Sequence, residues 1–185
     1  SFKEAGFTLS VADDTVALVE DDCITAVSAG NTHILVSKEN DVLFAIPVTV
    51  QAASYMDSVE VKDGKKTVTL TAGDVGKPSD ANDVRDADTI ELVIKDQYGE
   101  DYDYYVCTEP EDASSTNADF ISAVRSDSKK FQFTAGAVEN KLITTEQLSY
   151  GSTKTNTYVI KVKDVVNNTE KEAKVYVNVT QPKKE

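Results

Sequence analysis

The chain has 185 residues, a formal net charge of −13, and a usage of Val, Thr, Asp and Lys typical of solvated β-structure. This acidity argues against nucleic acids and anionic membranes as partners, because both are bound through basic surfaces. The sequence has no run of about 18 apolar residues, so it predicts no membrane-spanning helix.

A series of short motifs fills residues 11–50, and each predicts a turn or a strand. In order they are Asp13-Asp14, V-A-L-V at 16–19, I-T-A-V at 24–27, Ala29-Gly30, T-x-I-x-V at 32–36 and V-T-V at 48–50. This order resembles the second half of a bacterial immunoglobulin-like repeat of group 2. The resemblance implies a β-sandwich module that serves as a spacer or adhesive element on a bacterial surface.

The match departs from the family at two places. Cys23 stands where the family has a turn glycine, so we expect Asp22 to take the strained backbone conformation. The first half of the repeat is not visible before Val11, since residues 1–9 can supply only one strand. Either the missing strands precede this sequence or another part of the chain supplies them.

A domain boundary is predicted after residue 53, because the V-T-V strand ends at Val50 and a new pattern begins at Asp57. Residues 1–53 would form a partial group 2 module, residues 54–182 an immunoglobulin-like β-sandwich with long loops, and residues 183–185 a tail. A module of 53 residues is small, so we expect it to dock on a neighbour.

Alternation of apolar and polar residues predicts the strands of the second module. The apolar sets are Val68/Leu70/Ala72, Ile90/Leu92/Ile94, Tyr158/Ile160/Val162 and Val175/Val177/Val179. Such alternation is typical of antiparallel sheets with one face in water. Asp63-Gly64 and residues 96–99 predict tight reversals between strands.

The second module also resembles the immunoglobulin-like domains of Gram-positive S-layer and surface proteins. One carrier is the E-L-V-I-K-D-Q-Y-G segment at 91–99, which is similar to the L-x-V-K-D-x-x-G hairpin of those domains. The other is a closing hairpin formed by 158–164 and 172–179. The resemblance implies an all-β, antiparallel fold of immunoglobulin-like sandwich modules, repeated in an extracellular array at the cell wall. Arrays of this kind often depend on calcium.

Calcium is the one metal for which the sequence offers candidates. Asp80, Asp83, Asp86 and Asp88 fall in one predicted loop, and carboxylate oxygens are preferred calcium ligands. Their spacing does not fit an EF-hand, and ordinary loop aspartates are the alternative interpretation.

Tyr98, Tyr102, Tyr104 and Tyr105 form a second cluster around one predicted hairpin. They suit either a binding patch or packing on the two faces of a sheet.

The residues needed for catalysis are scarce. His33 is the only histidine, and its place on a predicted strand fits an exposed side chain better than a general base. Cys23 and Cys107 predict two isolated thiols, and they cannot form a zinc site of usual spacing.

The sequence therefore predicts a structural, non-catalytic segment of a surface protein that requires no cofactor, with calcium as an optional ion. Its expected partners are neighbouring immunoglobulin-like domains or copies of itself. The alternatives are an adhesin module that binds a host protein or glycan and an accessory domain of an extracellular carbohydrate-active enzyme.

Overall fold

The computed structural model describes residues 2–72, 86–114, 120–135, 148–181 and 183. The chain divides into two compact units, Ser1–Ala53 and Ser54–Glu185, here called unit 1 and unit 2. Across the described ranges, every regular element is a β-strand apart from a short 3-10 turn at Lys62–Gly64. The prediction of an all-β fold is confirmed.

Unit 1 has five strands arranged in two antiparallel sheets. They are β1 (Thr8–Val11), β2 (Ala17–Glu20), β3 (Cys23–Ala26), β4 (Gly30–Lys38) and β5 (Asp41–Val50). One sheet has the order β1-β4-β5, and β2 pairs with β3 in the other. Each strand motif expected in residues 11–50 thus coincides with a strand to within one residue or lies inside a longer one.

Two turns of unit 1 are formed by aspartates in specific conformations. The Asp13 carboxylate accepts hydrogen bonds from the Thr15 amide at 3.0 Å and the Thr15 hydroxyl at 2.6 Å. Both bonds lower the pKa of Asp13, and the bond from the Thr15 hydroxyl has the larger effect. The turn before Cys23 has positive φ at both Asp21 and Asp22, 47° and 62°. The expectation that Asp22 is the strained residue is confirmed, and Asp21 shares that conformation.

The buried core of unit 1 is small. Its buried apolar residues are Val16, Ala17, Ile34 and Val36. A Cβ on Gly30 would lie 2.9 Å from Val16 Cγ2, closer than van der Waals contact permits, so glycine allows the start of β4 to approach the β2 segment.

The described residues of unit 2 include nine strands. They are β6 (Met56–Val61), β7 (Thr67–Thr71), β8 (Ala87–Asp96), β9 (Tyr105–Cys107), β10 (Glu111–Asp112), β11 (Ile121–Arg125), β12 (Lys130–Ala135), β13 (Thr153–Asp164) and β14 (Thr169–Thr180). One sheet has the order β11-β12-β8-β6, and the other has β10-β13-β14-β7 with β9 also on β13. Apart from β7, these orders correspond to the two sheets of a constant-type immunoglobulin sandwich, and β7 is an additional strand beside β14. The pair β7–β14 is parallel.

Two of the turns of unit 2 lead from one sheet to the other. Asp63 and Gly64 have positive φ as expected, but they join β6 and β7, which belong to different sheets. The 96–99 turn has the expected Gly99 conformation, with the Gly99 amide donating to the Asp96 carbonyl at 3.0 Å. It leads from β8 to β9 in the opposite sheet. Both predicted reversals are therefore present, and at the second an antiparallel bridge joins Lys95 to Asp101 before the chain crosses to the other sheet.

The core of unit 2 lies between its two sheets. All four predicted alternating sets are buried, and Phe120, Phe131 and Phe133 add aromatic bulk. The Phe133 and Tyr158 rings meet edge to face at 5.3 Å between centroids. Burial of this many apolar side chains, at about 25 cal/mol per Å² of apolar area, is the main favourable contribution to the fold of unit 2.

Candidate functional site

The residues considered for catalysis are one histidine and two free cysteines. His33 is exposed on β4, between the buried Thr32 and Ile34. Cys23 is exposed and Cys107 is buried, and each is a free thiol. Burial raises the pKa of Cys107 to about 11, against an opposing effect of the Arg125 charge. A thiol with this pKa is a poor nucleophile at neutral pH.

Two of the four calcium candidates, Asp80 and Asp83, lie outside the described residues. Asp86 accepts a hydrogen bond from the Thr71 amide at 2.6 Å, and Asp88, on β8, forms an ion pair with Lys65 at 2.6 Å. In the part of the chain that is described, no three His, Cys, Asp or Glu residues are grouped to hold a metal. Calcium binding at this loop stays a prediction.

Two of the four clustered tyrosines pack in or against the core, and two are exposed. Tyr102 is buried, and Tyr105 packs partly against the core. Tyr98 and Tyr104 are exposed, and the Tyr104 ring lies edge to face with Tyr102 at 5.8 Å. Packing thus accounts for two of these residues and leaves the other two on the surface.

The most organised polar group in the described residues is the carboxylate of Asp164, which is fully buried at the end of β13. Its Oδ1 accepts hydrogen bonds from the Tyr102 hydroxyl at 2.8 Å and from the amides of Val166 and Asn167 at 2.9 Å. Its Oδ2 accepts from the Met56 amide at 3.1 Å and from Asn167 Nδ2 at 2.9 Å. Five donors therefore converge on one anion.

These donors determine the ionisation of Asp164. Burial alone raises its pKa, but the hydrogen bonds from Asn167, Met56 and Tyr102 outweigh that effect and hold the pKa well below its ordinary value. The ionised group joins the start of β6, the segment before β9 and the β13–β14 turn. With no solvent access it has a structural role. The sequence signal for this site is an aspartate on the core-facing row of β13, two residues after Val162 and four after Ile160.

A second feature not recognised from the sequence is an open apolar groove in unit 1, here called the β5 groove. It has a volume of about 460 Å³ and is lined by Phe2, Phe7, Val36, Phe44, Ala45, Ile46 and Pro47. Exposed apolar patches of this kind mark interaction surfaces in soluble proteins. The β5 groove and the exposed tyrosines are thus the candidate contact surfaces of the chain.

Comparison with known proteins identifies the fold. The sequence matches no protein-family model and no curated protein. In the described ranges, no helix has the length and apolar character needed to cross a membrane.

Solved structures of similar fold include domains 1–6 of the surface layer protein SbsC, with 19% identity over 100% of this chain and a TM-score of 0.62. Domains 4–9 (20% identity, 95% of this chain, TM-score 0.58) and domains 4 and 5 (20% identity, 95% of this chain, TM-score 0.55) of the S-layer protein SbsC are also similar. This chain spans 70% of the structure of domains 4 and 5, and 21% and 22% of the two longer ones. The chain therefore has the fold of S-layer protein domains.

Proposed function

We propose that this chain is a structural, non-catalytic segment of a bacterial surface-layer protein, in which it serves as a spacer and self-assembly module at the cell surface. The observation that carries the proposal is the similarity of the whole chain, both units included, to consecutive domains of an S-layer protein. Its partners would be neighbouring domains of the same chain and further copies of it.

The physical character of unit 2 fits a spacer. Its core fills the space between two sheets, and the β13–β14 hairpin pairs twelve residues on each strand. The net charge of −13 opposes non-specific aggregation outside an ordered array.

The experiment that tests this proposal removes unit 2, residues 54–185, from the full-length protein and images the assembled material by electron and atomic force microscopy. A spacer predicts that the protein still forms a layer, with a changed thickness or lattice spacing. The same images of the Tyr98→Ser, Tyr104→Ser variant show whether the exposed tyrosines contribute contacts to the layer. A deletion protein with an unchanged lattice, or a full-length protein that never forms layers with or without calcium, would refute the proposal.

An adhesin module is the second candidate, and the exposed Tyr98 and Tyr104 favour it. Tyrosine provides amphipathic contact area at low entropic cost. Saturable binding to a host glycan or matrix protein that is lost in the Tyr98→Ser, Tyr104→Ser variant would support this function instead.

A further inference from the structure

In the β1-β4-β5 sheet of unit 1, the core-facing apolar side chains are buried on β4 but exposed on β5. The antiparallel register places Phe44 opposite Val36 and Ile46 opposite Ile34, and residues opposite each other project to the same face. Ile34 and Val36 are 2% and 6% exposed, whereas Phe44 and Ile46 are 64% and 50% exposed. The apolar side chains of β5 therefore lie on the core face of the sheet without the covering layer that β4 has.

Unit 2 supplies an internal template for the missing cover. In unit 2, β9 and β10 pair with β13 as β1 pairs with β4 in unit 1. In chain order, the pair β11–β12 then corresponds to β2–β3, and the final hairpin β13–β14 corresponds to β4–β5. The first three strands of unit 2, β6 to β8, have no counterpart among residues 2–53.

The positions of those three strands match the bare surface. In unit 2, β7 lies beside β14, while β8 and β6 extend the sheet beyond β12. The inward row of β14, Val175, Val177 and Val179, is fully buried there. Among the described residues, no strand pairs with the outer edges of the corresponding strands β5 and β3 of unit 1. Ile24 of β3 is exposed, as are Phe44 and Ile46.

We propose that the β5 groove is a docking site for three β-strands of the polypeptide that leads into β1 in the longer protein. One strand would run parallel to β5, as β7 does to β14, and an antiparallel pair would extend the sheet beyond β3. Alternate apolar residues of these strands would cover Phe44 and Ile46. This inference rests on the proposal that the chain is a segment of a longer protein, but not on the spacer or self-assembly role of that segment.

The connection of the chain favours this source over a second copy. In unit 2 the chain passes from β8 to β9, so the strands that precede β1 in sequence are the ones expected in the groove. Phe2 and Phe7, just before β1, already line the groove.

The experiment compares amide hydrogen exchange in the 185-residue chain and in the chain extended at its amino end by the residues encoded upstream, over a length equal to residues 54–96. The proposal predicts that extension slows exchange in β3 and β5 at least about tenfold and abolishes binding of the dye ANS. Ile46→Asp has little effect on exchange in the unextended chain and removes the protection in the extended one. Thr49→Asp, which is exposed on the other face of β5, is the matched control and leaves the protection intact.

Two results would overturn this inference. One is fast exchange in β5 with the extension present, and the other is protection in the unextended chain that rises with protein concentration. The second result would assign the groove to a second copy of the chain.

Discussion

Replacing Asp164 by Asn tests the role of the buried carboxylate with almost no change of shape. The new amide nitrogen takes the place of one carboxylate oxygen. If it lies at the Oδ2 position, its N–H groups face the Met56 amide and Asn167 Nδ2, which are also donors, and both hydrogen bonds are lost. Hydrogen bonds to a charged group contribute about 1.5–3 kcal/mol each, and rotation of the Asn167 amide recovers about 1 kcal/mol. The expected loss of unfolding free energy is therefore about 2–5 kcal/mol.

Urea denaturation followed by tyrosine fluorescence measures this loss in unit 2 alone. All 8 tyrosines lie after residue 53, and the chain has no tryptophan. The matched control is Asp103→Asn, which makes the same chemical change at an exposed position near Tyr102 and leaves the midpoint unchanged.

The pH dependence provides an independent check on the charge of Asp164. Because its pKa is lowered on folding from a value of 3.8, the stabilisation is fully present above that pH and is lost as the pH falls below it. The difference between wild type and Asp164→Asn should be constant from about pH 8 to 5 and should shrink in stronger acid. A loss under about 1 kcal/mol at neutral pH, or a difference that does not shrink in acid, would refute the argument.

Three further predictions concern the two cores and the thiols. Val177→Ala should lower the unfolding free energy of unit 2 by about 2 kcal/mol in the same urea assay, and a cost near zero would contradict its burial. Gly30→Ala should destabilise unit 1 by about 1–3 kcal/mol, measured by amide exchange, and Val16→Ala should relieve part of that loss; the absence of any rescue would exclude the clash as its cause. A thiol reagent at about pH 8 should modify Cys23 only, and Cys107 only after denaturation, so two reactive thiols in the native protein would contradict the burial of Cys107.

The strands and their buried faces could be predicted from local pattern, because a side-chain period of two is a property of neighbouring residues. The alternation around Leu92 in β8 and around Ile160 in β13 identified the inward rows correctly. The Asp21-Asp22 turn was likewise predictable, since backbone conformation there depends on the turn residues themselves.

The assignment of strands to sheets could not be predicted in this way. The pairing of β7 with β14 joins residues more than a hundred positions apart, and no local feature of Asp63-Gly64 shows that β6 and β7 lie in different sheets. The Asp164 site could not be predicted for the same reason: it joins residues that are distant in sequence. The Met56 amide is 108 positions away and the Tyr102 hydroxyl is 62 positions away. Sequence pattern alone shows the aspartate but not the donors that make its burial favourable.

The parallel pairing of β7 with β14 has a mechanical consequence. A pull between the two ends of unit 2 draws β7 and β14 in opposite directions along their common axis, from the Thr67–Tyr176 pair to the Thr71–Thr180 pair. The ladder is then loaded in shear, so its hydrogen bonds must yield together rather than one after another. Because forced rupture is governed by the unfolding rate, this geometry gives the unit tensile strength that its equilibrium stability does not measure.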